Sequence, residues 1–267
     1  LDLFLGNEPG QAKIIKLDNF SEENLDNVIG NADVVFNLIG ILFETKENSF
    51  NKIHVDIARN IAASSKRMGV RYFVHLSALN VERSKESFYA SSKVEGEQAV
   101  KEMFPNCVIV KPSVVFGKGD NFTNLFNNIS KISPFLPLIG TPEIENKKKI
   151  PKINFKRKVK FQPVYVGDLV EFLLNVCVQK KKIFEIAGPT IQSFDQIFDA
   201  ILSVRNKKRF YIPLPFFLAN FMAFFLEFFP NPLLTTDQIK LLKTDNISSK
   251  GFVTLKKYIQ NPSSLKT

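Results

Sequence analysis

Four short apolar runs separated by stretches of helical period constrain the fold of this chain more than any other feature. They are "AKIIKLD" (12–18), "DVVFNLIG" (33–40), "RYFVHLS" (71–77) and "CVIVKPS" (107–113), rich in β-branched residues and ending in Asp, Gly or Ser. Apolar character that continuous suits strands buried on both faces of a parallel sheet. Between them, "SEENLDNVI" opens with a candidate cap at Ser21. The segment 49–68 carries Phe50, Ile53, Ile57, Ile61 and Ala62 at helical spacing and stops at Gly69. A third helix starts near Tyr89 and runs through Val94, Val100 and Met103, with Glu97 and Lys101 as an i,i+4 pair. Alternating strands and helices specify right-handed βαβ units, so the predicted fold class is α/β with a doubly wound parallel sheet.

Further along, "FQPVYVGDLVEFLLNVCV" reads as an extended piece and then a helix capped at Asp168, and "KIFEIAG" as one more strand. In "SFDQIFDAILSVR", Ser193 and Gln196 form a capping-box pattern. Residues 216–229, "FFLANFMAFFLEFF", are apolar nearly all round and lie between Pro215 and Pro230. A bilayer crossing takes about 20 residues, so this segment reads either as a buried helix or as one facing a membrane interface or a partner.

Charge placement narrows the function classes. The net charge is +10, and "KKKIPKINFKRKVK" from Lys147 to Lys160 holds eight Lys or Arg and no acid. Such a run is read as a solvated loop insertion or as contact with an anionic membrane surface. No nucleic-acid-binding motif accompanies it, so nucleic acid is not an expected partner. Cys107 and Cys177 lie in apolar runs without pairing or ligand spacing, and His54 and His75 have no companions for a metal site. Buried thiols in a reducing compartment, and no metal, are expected. The chain opens on Leu1 with neither a charged nor an apolar leader, which reads as a fragment or a processed chain.

The candidate chemistry sits in "SFYASSKVEGEQ" (87–98), where Tyr89 and Lys93 stand four apart. On a helix they share one face, about 5 to 6 Å apart at Cβ. In a cofactor cleft the ammonium is expected to lower the phenol's pKa from about 10, making Tyr89 a proton donor or acceptor near neutral pH. The spacing alone is weak, but Ser77 ends a predicted strand at the carboxyl edge, where doubly wound folds place ligands. Gly40 and Pro112 lie at the ends of two others at the same edge.

The order "NLIG", "HLSAL", "YASSK" and "VKPSVVFG" resembles the extended or atypical short-chain dehydrogenase/reductase superfamily, with its NAD(P)-binding Rossmann-type fold and epimerase/dehydratase members. The blocks "IVKPSVVFGKGDNFTNLFNN", "KFQPVYVGDLV", "IFEIAGP" and "IPLPFFLANFMAFFLEFFPNPLLTTDQIKLL" resemble more specifically the dehydrogenase-fold accessory subunits of respiratory complex I (NADH:ubiquinone oxidoreductase) and their bacterial relatives. That resemblance implies Tyr89 and Lys93 as the active-site pair, Ser77 as the carbonyl-polarising hydroxyl, and Lys93 on the nicotinamide ribose. It places Asn37, Leu38, Ile39 and Gly40 beneath the cofactor, Asp18 near the adenine, and Pro112, Ser113, Val114 and Val115 beside the nicotinamide. The implied cofactor is NADP(H) ahead of NAD(H), tightly held without an assigned turnover role. The alternative implied activity is a free-standing NAD(P)-dependent reductase or nucleotide-sugar epimerase/dehydratase using Ser77, Tyr89 and Lys93.

The resemblance also frames the remaining expectations. The superfamily's first βα unit, with its Gly-rich pyrophosphate loop, has no counterpart here, and "FLGNEPGQ" does not replace it. The expected organisation is a nucleotide-binding domain over 1–190 with an insertion at 141–160, and a small, mainly helical subdomain over 191–267. Complex I subunits are the implied partners, with an anionic membrane reached through Lys147–Lys160 and the Phe216–Phe229 helix. The implied location is the cytoplasmic face of a bacterial inner membrane or the equivalent matrix side in mitochondria. His54 falls where many extended members have asparagine, and is read as a packing residue.

Overall fold

A computed structural model describes residues 13–140, 143–145, 152–154, 158–204 and 206–265. At its centre is a parallel sheet of β1 (Val34–Asn37), β2 (Tyr72–Leu76), β3 (Val108–Pro112) and β5 (Lys182–Ile186), in the order β1-β2-β3-β5. β3 is buried at all five positions, which is why its sequence is almost unbroken apolar residues. α1 (Glu22–Ile29), α2 (Ile57–Arg67) and α3 (Phe88–Met103) cover one face through Leu25, Ile57, Ile61, Phe73, Val100 and Ile109. α5 (Val166–Val176) covers the other through Val74, Val108, Val110, Leu169 and Phe172. The α/β reading therefore holds, with four of the five expected strands in the sheet.

The expected strand at 12–18 does not form over its described part. Residues 13–17 run without regular structure; Ile14 and Ile15 are exposed, while Leu17 packs against the first core cluster. No described strand pairs beyond β1, and an apolar run without a ladder partner is not a strand.

The expected single helix over 49–68 begins instead as a π turn, Asn51–Asp56, with Ile57 N–H donating to Lys52 O, and only then becomes α2. A Cβ added at Gly96 of α3 would lie 2.0 Å from His54 O. Glycine there lets α3 rest directly on this turn.

Helix ends follow local chemistry in most cases. Ser21 accepts from Asn24 N, and Ser193 with Gln196 forms the expected capping box on α6 (Phe194–Ser203). Asp168 does not cap α5: Tyr165 is the N-cap, and Asp168 sits buried in the first turn, accepting from Ser263 N at 2.6 Å. Cys107 is buried as expected, whereas Cys177 is half-exposed at the end of α5, because its position follows the last turn packed on the sheet.

A second core joins α4 (Asn121–Ile132), β4 (Phe135–Ile139), α6 and β6 (Phe210–Leu214), with β4 and β6 parallel. Phe126, Phe161, Phe194 and Phe198 form its centre with ring centroids 4.8 to 5.8 Å apart. α7 (Phe216–Leu226) rests on this core through the buried Ala219 and Ala223 and the half-buried Phe216. Phe217, Phe221, Phe224, Phe225, Phe228 and Phe229 are exposed, so the face-outward reading of this segment applies. Among the described residues no helix is long and apolar enough to cross a membrane. α8 (Thr236–Leu242) and α9 (Gly251–Lys256) complete the order. Within the basic run, Lys152–Asn154 pairs antiparallel with Glu143–Glu145, and Lys158 bonds Asp195 at 2.6 Å. The rest of the insertion up to residue 157 lies outside the described residues.

Candidate functional site

The carboxyl ends of β1, β2 and β3, with the first two turns of α3, form the candidate site. β1 ends at Asn37, which is buried and points both polar atoms inward: Oδ1 accepts from Ile39 N at 3.2 Å and Nδ2 faces His75 Nδ1 at 3.1 Å. That orientation makes Nδ1 of His75 the acceptor and leaves the proton on Nε2. His75 Nε2 is buried without a hydrogen-bond partner among the described residues. Burial first, then the Lys93 charge, pushes the His75 pKa down to about 3, so the ring is neutral.

His54 sets the other wall. Its Nε2 accepts from Ile41 N at 3.1 Å, so Nδ1 carries the proton and donates to Ser92 Oγ at 2.8 Å, and Ser92 Oγ donates to Tyr89 O at 2.8 Å. The ring also meets the Tyr89 ring edge-on at 5.3 Å and stacks on Phe50 at 5.5 Å. Burial pushes its pKa down to about 4. One neutral imidazole thus ties the loop after β1 to the Tyr89 turn. This is more than the packing role read from the sequence, and only the tertiary contacts reveal it.

Tyr89 and Lys93 lie one turn apart on α3, as their spacing requires. Lys93 is buried and donates to Leu76 O at 2.8 Å; burial lowers its pKa to about 8, against a smaller opposing effect of Glu97. The expected lowering of the Tyr89 phenol is not found: desolvation pushes it up to about 12. The aromatic enclosure by Phe50 and His54 outweighs any pull from the ammonium, so Tyr89 is a neutral phenol over the whole physiological range.

Ser77 lies at the expected place, just past β2, but its hydroxyl donates to Glu97 Oε1 at 2.6 Å. Glu97 is itself buried and paired with Lys111 at 2.9 Å, and Lys111 also pairs with Glu82. The sequence reading missed this cluster, although a lysine inside "VIVKPS" was the available signal: a charge in a doubly buried strand demands a partner.

The other expected site residues divide. Leu38 is exposed, Ile39 is half-buried, and Gly40 lies beside His54, where a Cβ would make an ordinary 3.6 Å contact with Nε2. Pro112 O accepts from Leu79 N at 2.9 Å, while Ser113 Oγ and Val114 N meet Asn246 Oδ1 at 2.6 and 2.9 Å. Val115 pairs with Val164. Asp18 stands apart, exposed in a bend before α1, without a hydrogen bond or ion pair to these residues. Among the described residues there is no cluster of His, Cys, Asp or Glu able to hold a metal ion.

A profile of the NAD dependent epimerase/dehydratase family matches residues 5–187. The chain belongs to that family. Relatives within it include NADH dehydrogenase (ubiquinone) 1 alpha subcomplex subunit 9, mitochondrial, of Dictyostelium discoideum, 29% identical over 96% of this chain and 68% of its own length. The mouse protein of the same name is 28% identical over 92% of this chain and 63% of its own length. The present member thus spans roughly two thirds of these relatives. Among solved structures, the NADPH-dependent quinone oxidoreductase of Escherichia coli, complexed with NADPH, superposes with a TM-score of 0.65 at 16% identity, covering 94% of this chain and 80% of that one. A nicotinamide dinucleotide is the family's cofactor class. Two of the residues present could hold such a group: Lys93 has two N–H groups beyond the one given to Leu76, and Tyr89, one turn earlier on α3, carries a neutral phenol. For the pyrophosphate half, the described residues contain no glycine-rich turn leading from a strand into a helix N-terminus.

Proposed function

We propose that this chain is an accessory subunit of respiratory complex I that holds NADP(H), in preference to NAD(H), without turning it over. The relatives named as complex I subunits, matching over 92% to 96% of the chain, carry the first half of this reading. The site chemistry supports the absence of turnover. A carbonyl reductase needs a free hydroxyl to polarise its substrate and a phenol able to exchange a proton. Here Ser77 is spent on Glu97 and the Tyr89 phenol is pushed up to about 12. Lys93 and Tyr89 then bind the nicotinamide ribose, the loop from Asn37 to Gly40 passes beneath the dinucleotide, Asp18 faces its adenosine end, and Pro112 to Val115 border the ring. Residues 1–190 form the nucleotide-binding domain and 191–267 its helical partner-facing subdomain.

The exposed aromatic face of α7 and the basic run Lys147–Lys160 favour a position at an anionic membrane surface beside the other subunits. The mitochondrial names of the relatives favour the matrix side over a bacterial cytoplasmic face. The test is purification of the tagged full-length protein from its native membrane. Respiratory subunits and NADPH are expected to co-purify, and recovery of a free soluble protein overturns the assignment. The second reading, a free-standing reductase, rests on the retained Tyr89–Lys93 pair and requires carbonyl-reducing activity that Tyr89→Phe abolishes.

A further inference from the structure

The helix that carries Tyr89 and Lys93 is not held closed by its own sequence alone. Ser87 is its local N-cap and accepts from Ala90 N at 3.2 Å, which leaves the N–H groups of Phe88 and Tyr89 without an acceptor from within α3. Asp237, on α8, takes both. Its Oδ1 accepts from Phe88 N at 2.7 Å, and its Oδ2 accepts from Tyr89 N at 3.0 Å and from Ser87 Oγ at 2.7 Å. The carboxylate is buried, and its negative charge lies at the positive end of the α3 dipole.

Other side chains of the same segment fasten α8 in place. Lys240 lies over the Phe88 ring at 5.0 Å, Lys243 pairs with Glu86 at 3.3 Å, and Gln238 Nε2 donates to Leu42 O at 3.3 Å. Beyond the helix, Asn246 accepts from Val114 N, and Asn80 Nδ2 donates to Asp245 O and Ile247 O. Residues 237–247 therefore touch the loops after β1, β2 and β3, which are the rim of the candidate site.

We propose that Asp237 is a positioning residue for Tyr89 and Lys93, keeping the first turn of α3 wound so that both side chains stand ready for the dinucleotide. This rests on the nucleotide-holding reading above. Without the carboxylate, the N–H groups of Phe88 and Tyr89 lose their acceptor and the first turn frays. Binding must then rewind it, and the apparent Kd rises by the inverse of the fraction already wound.

The test titrates NADPH into the full-length protein, following the fluorescence of the bound nicotinamide. Asp237→Ala is expected to weaken binding about tenfold, equivalent to ~1.4 kcal/mol, and to alter the emission of bound NADPH. Asp237→Asn keeps the shape and one acceptor oxygen, is expected to recover part of the affinity, and carries the measurement if the alanine variant does not fold. Ile239→Val serves as the control. It trims a buried side chain of the same helix without touching the carboxylate, and is expected to lower Tm while leaving Kd within about twofold. Unchanged affinity in Asp237→Ala, or an equal loss in Ile239→Val, overturns the inference while the cofactor reading stands. A wild-type chain that binds no NADPH overturns both.

Discussion

Gly96→Ala sets two well-measured effects against each other. Alanine is favoured over glycine inside a helix by about 1 kcal/mol, so propensity alone predicts a more stable protein. The added Cβ, however, would stand 2.0 Å from His54 O and 3.0 Å from His54 C, about 1.4 Å short of the 3.4 Å at which ordinary contact begins. Both opposing atoms are backbone, so no rotamer change relieves the clash, and α3 must lift off the π turn. Overpacking typically costs 1–3 kcal/mol, and this geometry belongs at the upper end, about 3 kcal/mol. The net expectation is a loss of about 2 kcal/mol, or a fall in Tm of roughly 4–8 °C. Urea denaturation followed by circular dichroism measures it as a lowered midpoint with an unchanged slope. Lifting α3 also draws His54 away from Ile41, so the Ile41 amide should exchange faster in the variant. A variant as stable as the parent, or more so, refutes the close approach and means that propensity wins.

Two further substitutions probe buried charge. Because the folded pKa of Lys93 is depressed from 10.5 to about 8, its stabilising contribution is present above pH 10.5 and is lost as pH falls through about 8. Lys93→Met should therefore raise stability at pH 7 by on the order of 1–2 kcal/mol, net of the lost Leu76 bond, with the gain shrinking toward pH 10 and NADPH binding lost. A lower Tm at pH 7 would contradict this. Lys111→Met strands the buried Glu97 and should cost about 3–5 kcal/mol, most of it recovered by adding Glu97→Gln. Equal urea midpoints for the single and double variants would show that the pair is not the source of the loss.

How much of this was legible in the sequence depended on how local the cause was. β2 and β3 could be read because strands covered on both faces leave continuous apolar runs, as in Val108–Pro112, while β1 and the more exposed edge strand β5 could be read from shorter apolar, β-branched stretches. The α6 capping box could be read because both of its bonds close within three residues. The stretch 12–18 misled for the opposite reason: a strand is completed by its neighbour, and none among the described residues pairs with it. The π turn at 51–56 escaped because six residues are too few to separate its period from that of an α-helix. Asp168 was assigned a cap by residue type, but helix α5 started two residues earlier and gave its carboxylate to Ser263.

The amino-acid sequence by itself determined the α/β class, the strand and helix spacing, and the placement of Tyr89, Lys93 and Ser77 at one edge of the sheet. Those properties follow from side-chain period and from hydrogen bonds a few residues long. Tertiary structure alone decided their chemical state. Whether Ser77 is free depends on Glu97, 20 residues away, and whether Tyr89 ionises depends on Phe50 and His54 packed around it. The winding of the turn beneath them depends on Asp237, 149 residues beyond Phe88. Desolvation and long-range hydrogen bonds arise only once the chain has closed, so the same Tyr-Lys spacing is compatible with a reactive pair or a cofactor clamp, and only the packed surroundings set the protonation of the two groups.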